Sequence, residues 1–278
     1  MGMFFLSGLY YGVRSSFGYE RIVGNSEFTL KFYKNIMENN EFIKSLIFTS
    51  KISLISGVLS IFISLILIYF LYLNMRYGYF KSKLFEKLFE IPLIVPYLVG
   101  AYGVLIFFME SGILSGILIK LGIIETYKNF PIITNDKRGI GIIITYIWKT
   151  VPFILIVTLP ILKRINSRWD SLGKIFKMSD FKFFIKVIFP LLTPTLILNF
   201  FIIISYFFSS FETPYILGVT YPQSLAVYIY NLYSRSQLEE RGTVMAINIV
   251  VSLISLTSGV LIYGLFKYLK KTDEKGWM

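Results

Sequence analysis

The chain has 278 residues, 55% hydrophobic and 18% aromatic but only 16% charged, with a formal net charge of +12. A soluble domain carries roughly a quarter charged residues, so the composition points to an all-α integral membrane protein and leaves no stretch for a second, soluble folded unit. There is no cysteine and no histidine, which excludes disulfides, thiolate chemistry, zinc sites and imidazole acid–base catalysis.

The first apolar stretch, MGMFFLSGLYYGV, is shorter than the ~20 residues a spanning helix needs. It has no basic leader and no small-x-small cleavage site, so it reads as a short or truncated first membrane helix rather than a signal peptide. Five longer apolar runs follow: Ile52 to Leu73, about Ile91 to Met109, Gly139 to Leu162, Phe189 to Phe211, and Thr243 to Phe266. Each is long enough to cross the hydrocarbon core as a helix. None shows the strict alternation of a membrane β-strand. Ser111 to Ile124 is too short to span and is expected on the outer surface or as a cap over a mouth. Pro92, Pro96, Pro152, Pro160 and Pro194 are expected to interrupt spans.

Basic residues set the orientation. Segments 74–90, 163–188 and the tail after 266 hold fifteen Lys/Arg and six acids, a net +9. The alternate segments 14–51, 110–138 and 212–242 hold twelve and ten, a net +2. The first set is expected in the cytoplasm, with the C-terminus, and near anionic lipid head groups.

Within the cytoplasmic set, SRWDSLGKIFKMSDFKFFIKVIFPLLTP, residues 167–194, stands out. Ser167 is suited to cap a helix on which Trp169, Leu172, Ile175 and Phe176 form one apolar stripe, with Arg168, Ser171 and Lys174 off it. Lys177 to Ser179 reads as a turn, Asp180 as the cap of a second short helix over Phe181 to Ile188, and Pro190 as the start of the next span. This pattern is expected either as an amphipathic element lying on the membrane or as a docking helix that inserts an apolar ridge into a partner.

SLGKIFKMSDFKFFIKVIFPLLTP resembles the cytoplasmic signature loop of binding-protein-dependent ABC importer permeases. In that signature Glu-Ala-Ala is followed after three residues by Gly and, thirteen residues after the Gly, by Pro. Ungapped, these positions fall on Ser171, Leu172 and Gly173, on Lys177, and on Phe189–Pro190, with Pro194 as the later proline. Ser at the Glu position and Lys at the Gly position are departures, whereas Ser179, Phe184, Val187 and both prolines match. The segments FFLSGLYYGVRSSFG, FTLKFYKNIMENNEFIKSLIFTSKIS, IPLIVPYLVGAYGVLIFFMESGILSGILIKLGI and FETPYILGVTYPQSLAVYIYNLY extend the resemblance over most of the chain. The last two are similar to the subgroup that serves polyamines, ferric ion and phosphonates.

The resemblance implies a type I importer transmembrane domain with a methionine-permease-like fold of about six helices, the first short. It implies one permease domain over 1–278, with a coupling helix-turn-helix at 167–188, in the bacterial inner membrane. The implied partners are cytoplasmic ABC ATPase subunits, a second permease and an extracytoplasmic solute-binding protein, besides membrane lipid; no nucleic acid, cofactor or metal is implied. The chain has no Gly-x-x-x-x-Gly-Lys-Ser/Thr phosphate loop, so ATP hydrolysis is expected on a separate subunit. The coupling surface is expected to comprise Arg168, Trp169, Ser171, Leu172, Gly173, Lys174, Ile175, Phe176, Lys177 and Ser179.

Polar groups inside a span mark a pathway or a pair. Lys149 is expected to line the route, or else to pair with Glu110 or with carbonyls freed near Pro152. Asn199, Ser205, Ser209 and Ser210 recur along one span and serve either the route or helix packing. Glu212 and Thr213 lie at its outer mouth. Two other functions compete. A membrane-embedded enzyme lacks acid–base candidates. An ion-coupled carrier with repeated halves would leave the basic hairpin without a role.

Overall fold

The computed structural model describes residues 2–19, 28–78, 82–235 and 241–276, and the regular structure among them is helical. The chain divides into two compact units, one built from Met1–Ser50 with Thr220–Met278 and the other from Lys51–Val219.

The first unit holds α1 (Gly2–Ser16), α2 (Lys31–Glu38), the start of α3 (Asn40–Tyr77), α11 (Leu225–Arg235) and α12 (Arg241–Gly276). Both α1 and α2 pack on α12. The Ser16 hydroxyl hydrogen-bonds the Tyr33 hydroxyl at 2.8 Å, and Phe17 stacks on Phe28 and meets Tyr33 at a tilt. α3 begins where Asn39 Oδ1 accepts the N–H groups of Glu41 and Phe42 at 2.9 and 3.1 Å, which fills two of the donors a helix start leaves open. In the same unit Thr49 Oγ1 accepts the Leu225 N–H at 2.7 Å, so a side chain of α3 fixes the start of α11.

The second unit holds the rest of α3, then α4 (Ser82–Ile94), α5 (Tyr97–Phe108), α6 (Ile113–Lys120), α7 (Ile140–Ile175), α8 (Asp180–Phe183), α9 (Phe189–Ser209) and α10 (Glu212–Leu217). α7 is its centre, and α4, α5, α9 and α10 all pack on it. Gly78 ends α3 at φ 70°, donating its N–H to the Asn74 carbonyl, a conformation glycine adopts without a Cβ clash. Asp136 opens α7: its carboxylate accepts the Arg138 and Ile140 N–H groups at 2.8 and 2.7 Å. Ser53, Ser56, Ser60 and Ser64 are all buried on one face of α3. Small residues at this spacing let apolar helices approach closely. Ser60 hydrogen-bonds Thr150 of α7 at 2.7 Å, and a Cβ on Gly57 would lie 3.0 Å from Ile204 and 3.2 Å from Phe200 of α9.

Among the described residues four helical runs are long and apolar enough to cross a membrane: Asn40–Tyr77, Tyr97–Lys120, Ile140–Ile165 and Asp180–Ser209. The expected spans from Ile52 and Thr243 fall inside α3 and α12, and those from Gly139 and Phe189 follow α7 and α9 except that Gly139 precedes α7 and α9 ends at Ser209, two residues before Phe211. The span expected over Ile91 to Met109 is not continuous. It breaks at Val95–Pro96, between α4 and α5. Of the five prolines expected to interrupt spans, only Pro96 lies at a helix break; Pro92, Pro152, Pro160 and Pro194 sit inside helices.

The boundary expected at Ser167 is absent. α7 runs 36 residues without interruption from Ile140 to Ile175, a length of about 54 Å, so the apolar run and the expected docking helix are one rod. Nothing between Leu162 and Ile175 breaks helical hydrogen bonding. The helix expected over Phe181 to Ile188 is likewise no separate element. α8 passes through a π-helical turn at Phe184–Ile188 straight into α9, where the Phe189 N–H reaches the Phe184 carbonyl. A wide turn accommodates Pro190, which has no N–H to give and whose ring crowds the preceding turn.

The tight α3–α9 crossing yields a prediction. Gly57→Leu is expected to destabilise the purified protein by roughly 1–3 kcal/mol through overpacking, seen as a lower thermal unfolding midpoint, whereas Val58→Leu on the exposed face is expected to leave it unchanged.

Candidate functional site

Two features of the second unit carry chemistry beyond packing. The first is the hairpin at the end of α7. α7 stops at Ile175 because Lys177 enters the left-handed region at φ 48°. The Met178 N–H then turns back to the Gly173 carbonyl at 3.0 Å, the six-to-one bond of a Schellman motif with Lys177 in the position usually given to glycine. Gly173 is buried, and a Cβ there would fall 2.6 Å from the Phe183 ring, so the absence of a side chain lets the two arms of the hairpin close.

Phe183 and Phe184 fasten the second arm to the end of α3. Phe183 stacks on Tyr72 at 5.8 Å, and Phe184 meets Tyr69 edge-on at 5.0 Å. Asp180 was expected to cap the second arm. It is instead the first helical residue, after Ser179, and it makes no cap bond. Its carboxylate takes an ion pair with Arg76 at 2.5 Å and a hydrogen bond from the Tyr77 hydroxyl at 2.8 Å. Arg76 also donates to the Tyr72 hydroxyl at 2.8 Å. A carboxylate with a cation and a phenol donor already in place has more to gain there than from one backbone N–H.

Outward from this staple stand Ile175, Phe176 and Phe181, respectively 71%, 73% and 63% exposed. They are three large apolar side chains left exposed on one tight turn. The expected coupling residues therefore divide. Gly173 faces inward, Trp169 is half-buried, and Ile175, Phe176, Lys177 and Ser179 face outward. The side chains of Arg168, Ser171, Leu172 and Lys174 lie outside the described residues. Phe181 was missed as a surface residue; its signal was an apolar residue directly after the capping position, on the arm opposite the stripe.

The second feature is the break at Val95–Pro96. Helix ends leave carbonyls without partners, and at the end of α4 Pro96 brings no N–H that could bond the Pro92 carbonyl one turn back. Lys149 of α7 fills the gap: its Nζ donates to the Pro92 and Val95 carbonyls and sits 4.8 Å from the centre of the Tyr97 ring. Lys149 is 4% exposed. Charge-assisted bonds contribute about 1.5–3 kcal/mol each, and a desolvated cation–π contact roughly 2 kcal/mol more. Beside it, a Cβ on Gly100 would lie 2.8 Å from Trp148, which brings α5 against α7 just beyond the break. Lys149 was expected to pair with Glu110 or with carbonyls near Pro152; the partners are instead carbonyls on a different helix, beside a different proline.

The other polar candidates do not converge on Lys149. Glu110 is exposed between α5 and α6. Asn199 is 2% exposed, and its Nδ2 has no hydrogen-bond partner among the described residues. Ser205 and Ser209 are exposed on one face of α9, with the Ser209 hydroxyl bonding back to the Ser205 carbonyl at 3.2 Å. Glu212 opens α10 in an exposed position, while Thr213 beside it is buried with an unpartnered hydroxyl. Among the described residues no group of three carboxylates could hold a metal.

Residues 71–272 match the model of the family described as binding-protein-dependent transport system inner membrane component. The chain belongs to that family. It is a type I ABC importer permease of the inner membrane. Among solved structures it is similar to a bacterial ABC transporter that imports the acidic polysaccharide alginate, with a TM-score of 0.74, 17% identity, and 96% of this chain and 92% of that chain covered. A second is a bacterial alginate ABC transporter in complex with an alginate pentasaccharide-bound periplasmic protein, with a TM-score of 0.69, 16% identity, and 96% and 88% covered. At this identity the likeness shows the fold, the transmembrane domain of an ABC importer. No curated protein matches.

The hairpin geometry accounts for one departure from the family signature. The Gly position falls on Lys177, where the backbone is left-handed as a glycine would have it. A residue with a Cβ costs about 1 kcal/mol in that conformation, so Lys177→Gly is expected to raise the thermal unfolding midpoint of the permease. Gly173→Leu is expected to act oppositely: it forces Phe183 off Tyr72 and speeds trypsin cleavage after Lys182 and Lys186, measured against the unaltered chain.

Proposed function

We propose that the chain forms half of the solute pathway of an ATP-driven importer and receives its power stroke through the 167–188 hairpin. The observation that carries this reading is the apolar turn of Ile175, Phe176 and Phe181, held outward on a stapled base. A turn of that kind presents hydrophobic anchors to a cleft. The partner is a cytoplasmic ABC ATPase, which supplies the hydrolysis for which this chain has no phosphate loop. The hairpin and the C-terminus then lie in the cytoplasm, in keeping with the surplus of basic residues there.

A second permease, a copy or a homologue, completes the pathway, and an extracytoplasmic binding protein delivers the solute. Asn199, Ser205 and Ser209 on α9, with Glu212, Thr213 and Glu110 toward the outer mouth, are the proposed contacts along the route. The unpartnered Nδ2 of Asn199 supports this placement, since a buried polar group without a partner is costly unless water or solute meets it. The solute is a small molecule of the polyamine, ferric ion or phosphonate kind, as the resemblance of the 91–123 and 211–233 segments suggests.

Affinity purification from the native membrane tests the reading. The permease is expected to bring an ABC ATPase with it. The double substitution Ile175→Ser with Phe176→Ser removes two apolar anchors worth about 1.5–3 kcal/mol each and is expected to cut ATPase recovery at least about tenfold with membrane levels unchanged. Replacing Gly173 with a bulky charged residue is expected to uncouple transport while leaving insertion intact. Full ATPase recovery with both hairpin variants would remove the hairpin from the coupling interface. Growth on a polyamine, iron or phosphonate as the limiting nutrient, in cells with and without the permease, tests the solute class.

A further inference from the structure

We infer that Lys149 is the strut of a jointed span: its ammonium stands in for the amide hydrogen that Pro96 lacks, so that a side chain of α7 sets the angle between α4 and α5. Three observations meet at this point. The chain is extended at Pro96, with φ −58° and ψ 149°, and α5 resumes only when the Gly100 N–H reaches the Pro96 carbonyl. The two carbonyls at the joint, Pro92 and Val95, are both taken by Lys149 Nζ. The Tyr97 ring closes over the same ammonium from the α5 side. Lys149 thus touches the last turn of α4, the joint itself and the first residue of α5.

The next residue fixes the base of the strut. Thr150 hydrogen-bonds Ser60 of α3 at 2.7 Å and the Tyr146 carbonyl of its own helix at 2.7 Å, so rolling α7 at this level breaks its bond to α3. The remaining freedom lies between α4 and α5. A proline joint alone leaves carbonyls open and permits a range of bend angles; an ammonium bound to both carbonyls selects one. In the proposed transport cycle Lys149 is a positioning residue for the moving span, not a wall of the solute route.

The absence of native cysteine makes the test direct. Spin labels at Ile91→Cys and Ile106→Cys, both on exposed positions either side of the joint, report the angle as a distance by pulsed electron resonance on the purified permease in lipid nanodiscs. With Lys149 present a single narrow distance is expected. Lys149→Met should lose that single peak and give a broad distribution. Adding Pro96→Ala returns an amide donor to the Pro92 carbonyl, so the double substitution should recover one narrow peak, at a longer distance as the helix closes through residue 96. Lys149→Gln, which keeps amide donors, should fall between and serves where the Met variant fails to insert. An unchanged peak in Lys149→Met, or a double substitution as broad as the single one, overturns the strut. These distances involve neither ATPase nor solute, so their failure would leave the importer reading standing, and loss of ATPase recovery would leave the strut standing.

Discussion

A main-chain carbonyl or amide without a partner is among the costliest things to leave in an apolar interior, and the form of this permease is governed by where each such group goes. At the start of α3 the donors go to Asn39, and at the start of α7 to Asp136. At the end of α3 a left-handed glycine turns the chain back onto its own carbonyl. Ahead of Pro190 a π-helical turn opens to absorb the missing donor. At Val95–Pro96 a charged side chain arrives from another helix to do the work. A lysine in the middle of an apolar helix is tolerated because its ammonium meets two main-chain carbonyls and an aromatic face.

The hairpin answers a different requirement. A docking element has to expose apolar side chains while staying folded, although exposure removes the packing that would hold it. Here the two roles fall on different residues. Gly173, Phe183, Phe184, Asp180 and the end of α3 supply cohesion, and Ile175, Phe176 and Phe181 supply the surface.

Much of this was legible in the sequence. The long apolar runs could be located, because a helix in an apolar medium needs a minimum length set by the medium; their ends could not, since α3, α7 and α12 each run on for about ten residues past an expected bound. The turn at Lys177 to Ser179 and the family signature were visible through spacing, even with Lys in the place of Gly, because a backbone dihedral tolerates more than one residue type at modest cost. Ser167 misled: a serine followed by an acid resembles a cap, but a cap forms only where a helix has reason to begin, and α7 had not ended. Asp180 misled in the same way, since its partners Arg76 and Tyr77 lie about a hundred residues earlier. Lys149 stood out as an anomaly, yet its partners could not be named, for a proline's orphaned carbonyl leaves no trace in the composition of the helix that relieves it.

Because the hairpin is held by ring contacts and an ion pair before any partner arrives, its shape does not have to be made at the moment of association. In the proposed complex little of the association free energy would then be lost to ordering. The same stiffness means that a displacement imposed on Phe176 is not absorbed by flexing of the turn. On the proposed coupling it passes through Phe183 and Asp180 into the foot of α3, so the first part of the span to feel a moving engine would be one that the signature loop itself does not contain.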